Sequence, residues 1–413
     1  MPNEAKMTID ERRKYLLIMR PRYVAADRTE RGRLLDEMVQ VTTLHRKSLV
    51  RLLAGDLTRQ PRVRERDRTY RTPVVDALRV ITESFDYVCP ERLTPNLGWM
   101  ARQLIQHGEL TLSEAVLAQL DTISTSTVRR LLDHLRQDER RLPQKGPERA
   151  NQVLREVPMK RIAWDIAEPG HFETDLVHHC GREASGEYVH TLQMIDVATG
   201  WSERMAVLGR GYQVMQAAFR RGLARLPFAV LEIHPDNGSE FFNQHLLRFW
   251  PEVVKGVNLS RSRPYQKNDN RHVEQKNSSL VRAYLGFTRL DSGAQTLALN
   301  ELYDQMWLYY NLFQPVMHLV AKTLVVADDR PHVQRRYDAA QTPFDRLCAT
   351  QVILPARREK LERLRDATNP RRLRLDIYDH LDRLWTLPGA TAGGVEDVTA
   401  LLDAIAQPTI ALR

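Results

Sequence analysis

The chain has 413 residues, 42% hydrophobic and 27% charged, with a formal net charge of +9. That length exceeds one ordinary core and predicts several domains, while no apolar run approaches the ~18 residues that cross a bilayer and the first residues carry no signal-peptide apolar stretch. Cys89, Cys180 and Cys348 have no metal-ligand spacing and fit a reducing compartment, so a cytoplasmic protein with no membrane partner and a preference for polyanions is expected.

Residues 8–57 read as helices. Leu34, Leu35, Met38 and Val39 form one apolar stripe, and Leu44, Leu49, Val50, Leu52 and Leu53 form another. The break between them leads into a basic, hydroxyl-bearing helix start. That is the pattern of a helix-turn-helix offering Arg46, Lys47, Ser48 and Arg51 to a groove of DNA; a plain helical hairpin with a solvated basic face is the alternative. A linker over 59–72 follows, rich in arginine. Arg62, Arg64, Arg66 and Arg68 within it suit a phosphate track or a narrow minor groove. Residues 73–145 predict a second helix-turn-helix. Leu110 to Ala115 looks like a capped helix start, and Thr127, Arg129 and Arg130 belong to a candidate recognition helix over 123–132. The Arg-, Gln- and Pro-rich text near 137–150 predicts a boundary.

From residue 160 the period changes to that of strands. Residues 171–178 alternate, and 188–197 and 201–208 follow with a tight turn at Ala198-Thr199-Gly200, which predicts an antiparallel meander. A helix over 212–226, a buried strand over 228–233 ending at Asp236, a helix near 239–250, a short strand near 257–260 and a long helix over 269–286 complete a mixed five-stranded sheet with helices. A helix over 296–312 precedes a C-terminal region, 321–413, whose fold is left open but whose text is largely basic and helical.

Three carboxylates concentrate the chemistry. Asp175 sits in a strand pattern, Asp236 where a strand runs into a turn, and Glu274 in a helix pattern. Sixty residues separate the first two and 37 the last two. Carboxylates brought within a few ångströms of one another cannot all ionise without divalent cations. Hard oxygen ligands select Mg²⁺ or Mn²⁺, and phosphoryl transfer with two ions is the natural work of such a site.

The order and contexts of these residues resemble the RNase H-like catalytic core of DDE transposases and retroviral-type integrases. The resemblance covers 160–320. It rests on Trp164 and Pro169-Gly170-His171-Phe172-Glu173-Thr174-Asp175, on Met194-Ile195-Asp196-Val197-Ala198-Thr199-Gly200-Trp201, and on His234-Pro235-Asp236-Asn237-Gly238-Ser239-Glu240-Phe241. Ser262-Arg263-Pro264-Tyr265, Asn268-Asp269-Asn270 and Val273-Glu274-Gln275-Lys276-Asn277 complete it. With the N-terminal modules, the likeness is to bacterial insertion-sequence transposases. It implies an α/β RNase H-like core in a multidomain chain, with a 1–58 helix-turn-helix ahead of it. It also implies two Mg²⁺ (or Mn²⁺) ions held by Asp175, Asp236 and Glu274, double-stranded DNA as partner (transposon ends and target), a homo-oligomer on DNA, and a bacterial cytoplasmic setting. Lys267, Lys276 and Arg282 lie around the final helix, on the face that the resemblance turns to the transposon end.

Several residues compete for attention. Asp196 reads as a cap of the turn at Thr199-Gly200, and Asp269 as a charge near a helix start. Glu173 shares a strand face with Asp175 and reads as an outer ligand or a rim charge. His178, His179 and Cys180 alternate in direction and read as strand-end residues; His234 reads as a buried histidine. Two other functions fit parts of the chain: a DNA-binding regulator or inactive transposase derivative, and a tyrosine recombinase using Tyr337. The second needs an all-helical site, which the strand-rich core opposes.

Overall fold

The computed structural model describes residues 7–58, 69–134, 166–183, 185–235, 241, 244–260, 271–327, 330–391 and 396–412. Two compact units divide the chain, Met1–Thr69 and Tyr70–Arg413. The first holds α1 (Ile9–Ala25), α2 (Arg28–Thr42) and α3 (Arg46–Ala54). Thr8 and Glu11 form a capping box at the start of α1, and the Asp27 side chain accepts the Glu30 N–H at the start of α2. Both satisfy amides that have no partner within the helix. Thr43 at φ 58° ends α2, so the turn into α3 is three residues long. Leu16, Met19, Leu34, Leu35, Met38, Leu49, Leu53 and Leu57 close a small core. Val50, assigned to an apolar stripe by the sequence pattern, is 42% exposed. Leu49 and Leu53 share the inner helix face, and Val50 is turned about 100° from it.

The second unit opens with α4 (Thr72–Ser84), α5 (Pro90–Leu93), α6 (Leu97–Gln106), α7 (Glu114–Thr122) and α8 (Thr125–His134). Ser113 stands at the N-cap of α7 but makes no side-chain capping bond; Ser124, before α8, does cap, accepting the Thr127 N–H at 3.3 Å. These helices share one hydrophobic core with the sheet and the C-terminal helices. Hydrogen bonds reach across as well: Tyr309 Oη donates to the Ser84 carbonyl at 2.7 Å and Gln314 Nε2 to the Phe85 carbonyl at 2.7 Å.

The sheet contains β1 (His171–His178), β2 (Val189–Asp196), β3 (Ser202–Leu208), β4 (Glu232–Pro235) and β5 (Asn258–Leu259), in the order β3-β2-β1-β4-β5. β1, β2 and β3 form the antiparallel meander, and β4 runs parallel to both β1 and β5. α9 (Tyr212–Arg225) and α10 (Gln244–Val253) flank it, followed by α11 (Arg271–Lys276), a π-helical stretch over Asn277–Arg282 and α12 (Ala283–Leu285). α13 (Gly293–Leu308) continues into π-helical Tyr309–Phe313. Every residue of β2 and β3 is buried, as befits strands covered on both faces. The fourth strand starts later than the sequence pattern predicts. Phe228 and Val230 are buried in the connection, and pairing begins only after Gly170, at φ 121°, brings the chain close. The Gly170 carbonyl accepts the N–H groups of Leu231 and Glu232 at 2.9 and 3.1 Å, and a Cβ at Gly170 would lie 2.8 Å from the Ala229 carbonyl.

Beyond the sheet, β6 (Leu319–Ala327) and β7 (Arg330–Tyr337) form an antiparallel hairpin. Arg335, Arg336 and Tyr337 are therefore the end of a strand, within the C-terminal region whose fold the sequence leaves open. Asp338 closes its base, accepting from His318 N at 2.7 Å and from Arg346 at 2.7 and 3.0 Å. α14 (Pro343–Ala349), α15 (Pro355–Ala367), α16 (Pro370–Thr386) and α17 (Val398–Ala406) complete the chain. Among the described residues no helix is long and apolar enough to cross a membrane.

Candidate active site

The site forms on β1, the middle strand. Asp175 pairs with Gln193 of β2, which pairs with Arg204 of β3, so the three share one sheet face. Asp175 Oδ1 accepts the Leu176 N–H at 2.8 Å, and Oδ2 accepts a hydrogen bond from Asn277 Nδ2. On the other side of β1, the register with β4 sets Thr174 against Pro235. The residues that immediately precede Asp175 and Asp236 are thus cross-strand neighbours. Asp236 itself lies outside the described residues, as do Trp164, Lys267, Asn268, Asp269 and Asn270.

Glu274 is exposed on α11, and Val273 beside it is fully buried. The start of this helix is fastened to β1 by Glu173, which is 3% exposed. Its Oε2 accepts the N–H groups of His272 and Val273 at 2.7 and 3.0 Å. Glu173 is therefore a helix cap, where the sequence pattern offered an outer ligand or a rim charge. Nothing in the local pattern reveals this, because the amides it meets are about 100 residues away in the chain. Asn277 was missed as well, although it follows Glu274 by three residues and so belongs on the same side of the helix. The donor set of Asp175 and Glu274, carboxylate oxygens, suits a hard divalent cation. Among the described residues no group of three His, Cys, Asp or Glu side chains stands ready to hold a metal.

The competing residues find structural roles. Asp196 Oδ1 accepts the Gly170 N–H at 2.7 Å, and its Oδ2 accepts from Thr199 N and Oγ1 at 2.8 and 2.6 Å. It caps the turn as anticipated. Burial pushes its carboxyl up to about 6 against the pull of those hydrogen bonds. His179 is fully buried and meets Thr191 Oγ1 at 2.8 Å, with burial holding its imidazole down at about 3. His178 stands 3.3 Å from Tyr188 Oη. His234 is buried and meets Ser260 Oγ at 2.7 Å.

In sequence comparison the chain is 36% identical over 326 residues to the uncharacterized protein y4rM of Sinorhizobium fredii, a match covering 79% of this chain and 91% of that one. The chain belongs to the y4rM family. No family profile matches it. Kinship with y4rM brings no activity with it, so function in this y4rM-family protein has to be argued from the site.

Of the candidate DNA contacts, Arg46, Lys47 and Arg51 are exposed on α3 and Ser48 is half-buried. Arg46 pairs with Asp36 of α2. Arg129 and Arg130 are exposed on α8, Thr127 is half-buried, and Arg129 pairs with Glu91. Arg62, Arg64, Arg66 and Arg68 lie outside the described residues. Arg282 is half-buried and donates to the carbonyls of His178 at 2.8 Å and Gly286 at 3.0 Å.

Lys276 is half-buried rather than solvated. Burial, with the guanidinium groups of Arg92 and Arg204 nearby, pushes its ammonium down from 10.5 to about 7. Arg204 is itself 1% exposed, with its Nε and Nη1 lacking hydrogen-bond partners among the described residues. The unfolded chain, with lysine at its ordinary value, binds this proton up to pH 10.5 and the folded chain only to about 7. Stability therefore rises with pH across that window. Lys276→Met is expected to stabilise the protein by a few kcal/mol at pH 7 and below, with the gain fading toward the upper end of the window. Urea denaturation at pH 6 and pH 10 checks this, and an equal effect at both pH values would refute it.

Proposed function

We propose that this y4rM-family protein is a transposase, whose RNase H-like core carries out metal-dependent polynucleotidyl transfer and whose helical modules bind DNA ends. One observation carries the proposal. The residues preceding Asp175 and Asp236 are cross-strand neighbours on β1 and β4, while Glu173, two residues before Asp175, caps the helix that bears Glu274. β1, the end of β4 that leads to Asp236 and the helix bearing Glu274 thus adjoin one strand, which supports reading the three acids as one site. The sheet order, with an antiparallel meander followed by two parallel strands, agrees with the RNase H-like reading. Exposed Arg46, Lys47 and Arg51 after a three-residue turn between α2 and α3 support a helix-turn-helix.

Asp175, Asp236 and Glu274 would hold Mg²⁺ or Mn²⁺, which would supply charge stabilisation for an in-line displacement at phosphorus. The chain's own contribution is placement. Gly170 brings β4 to β1, Glu173 brings α11 to the same strand, and Asn277 orients the Asp175 carboxylate. Basic side chains on α3 and α8 supply phosphate and groove contacts.

The test uses the full-length protein with duplexes carrying the DNA that flanks its gene, in Mg²⁺ or Mn²⁺. Nicked ends and joined products are expected. Binding should also fall steeply with salt, because each neutralised phosphate releases counterions. Specific binding with no nicking or joining in either metal would favour a DNA-binding regulator instead.

A further inference from the structure

The geometry points to Glu173, Asn277 and Arg282 as positioning residues: they strap the helix carrying Glu274 lengthwise along β1 and so fix Glu274 relative to Asp175. This rests on the transferase reading for its purpose, but the strap itself is a structural matter.

The contacts run in register. Glu173 accepts the N–H groups of His272 and Val273. Asp175, two residues further along β1, accepts from the Asn277 amide. The carbonyl of His178, three residues further again, accepts from Arg282 Nη2 at 2.8 Å. Five residues of strand, from 173 to 178, advance about 17 Å. Ten residues of helix, from 272 to 282, would advance about 15 Å at the α-helical rise, and advance less here because 277–282 is π-helical. The two lengths are comparable, and the long Arg282 side chain spans the remainder to the His178 carbonyl. The π-helical stretch starts at Asn277, the middle strap. A π turn shortens the rise per residue and resets which side chains face the strand, and Arg282 at its end reaches β1 again.

The first strap is the strongest in physical terms. The opening amides of a helix have no intrahelical acceptor, and a carboxylate there also meets the positive end of the helix dipole. Glu173 is nearly inaccessible to solvent, so its carboxylate must find donors inside the protein, and it finds them at the helix start. Glu274 lies between the first and second straps, one residue after Val273 and three before Asn277. Its backbone is therefore held on both sides, while its side chain is exposed.

Glu173→Ala and Glu173→Gln in the full-length protein test the strap. Gln keeps an oxygen that accepts both amides; Ala keeps nothing. In the metal-free protein, Glu173→Ala should speed amide hydrogen exchange over 271–285 by about tenfold or more, since a hydrogen bond to a charged group is being lost, with α13 unaffected. Glu173→Gln should restore most of the protection. In strand transfer, the Mg²⁺ concentration for half-maximal rate should rise about tenfold or more for Ala, with Gln again intermediate. Asn277→Ala, which removes no buried charge, should raise the Mg²⁺ requirement in the same direction. Unchanged exchange over 271–285 in Glu173→Ala overturns the strap, whether or not the protein joins DNA. If wild type joins no DNA in any metal, the exchange result still decides the strap, and only the transferase reading fails.

Discussion

Asp175→Asn is expected to fold as the wild type does and to lose strand cleavage and joining by about 10³-fold or more, a rise in barrier of about 4 kcal/mol. The fold should survive for a local reason. Asp175 Oδ1 accepts the Leu176 N–H, which an amide oxygen also does. Oδ2 accepts from Asn277 Nδ2, and there the new side chain would set one NH₂ against another. Among the described residues, however, Asn277 Oδ1 is buried without a partner. Turning the Asn277 amide over supplies an acceptor for the new NH₂, so these two hydrogen bonds are conserved while the negative charge is gone. Charge is what a site for hard cations requires. Glu274→Gln should behave alike: Glu274 is exposed, and neutral substitutions at exposed positions move stability little. Activity is read as joined product on duplexes carrying the gene's flanking ends, and folding by thermal unfolding. Full joining by either variant would remove the carboxylates from the mechanism and with them the proposed function.

How much of this was legible in the sequence depends on the range of the interactions involved. β1 is bounded in the sequence as in the structure, His171–His178, because alternation and flanking turns are local. The Asp196 cap was legible for the same reason: its acceptors serve Thr199, three residues on. Glu173 was legible as a residue on the Asp175 face but not as a cap, since its donors belong to a helix that only the fold brings near. Lys276 read as a cation on the helix face turned to the transposon end, because helix text shows periodicity and not the guanidinium groups of Arg92 and Arg204 that await it. The β6–β7 hairpin was missed because Pro331 and the charged text of 328–336 mask its alternation. What makes it a hairpin is mutual backbone pairing, from Leu319 opposite Tyr337 to Ala327 opposite Arg330.

The same distinction governs the largest expected loss of stability, which follows from charges that no sequence pattern marks. Glu203 is fully buried on β3 and Arg225, at the end of α9, is 1% exposed. Glu203 Oε2 accepts from Arg225 Nε at 2.8 Å, and Oε1 accepts from the indole N–H groups of Trp201 and Trp307 at 3.0 and 2.7 Å. Arg225 also donates to Asp304 at 2.7 Å and to the Arg204 carbonyl at 3.0 Å. Asp304 in turn accepts from Arg221 at 2.7 Å and from Thr409 Oγ1 at 2.5 Å, so one network joins β3, α9, α13 and the C-terminal segment. Arg225→Met should cost about 3–5 kcal/mol, because it strands a buried carboxylate rather than merely deleting a contact. Burial already raises the Glu203 carboxyl above its ordinary range, against the pull of Arg225; without Arg225 it rises further. A carboxyl whose folded value lies above its unfolded one contributes stability at low pH that is lost as pH rises through the folded value. The variant's deficit should therefore be larger at pH 8 than at pH 5.5 in urea denaturation. Adding Glu203→Met to Arg225→Met should cost less than the sum of the two single changes, since the stranded charge is then gone. Strict additivity, or a single-variant loss under about 1 kcal/mol, would mean that the network contributes packing and not charge pairing.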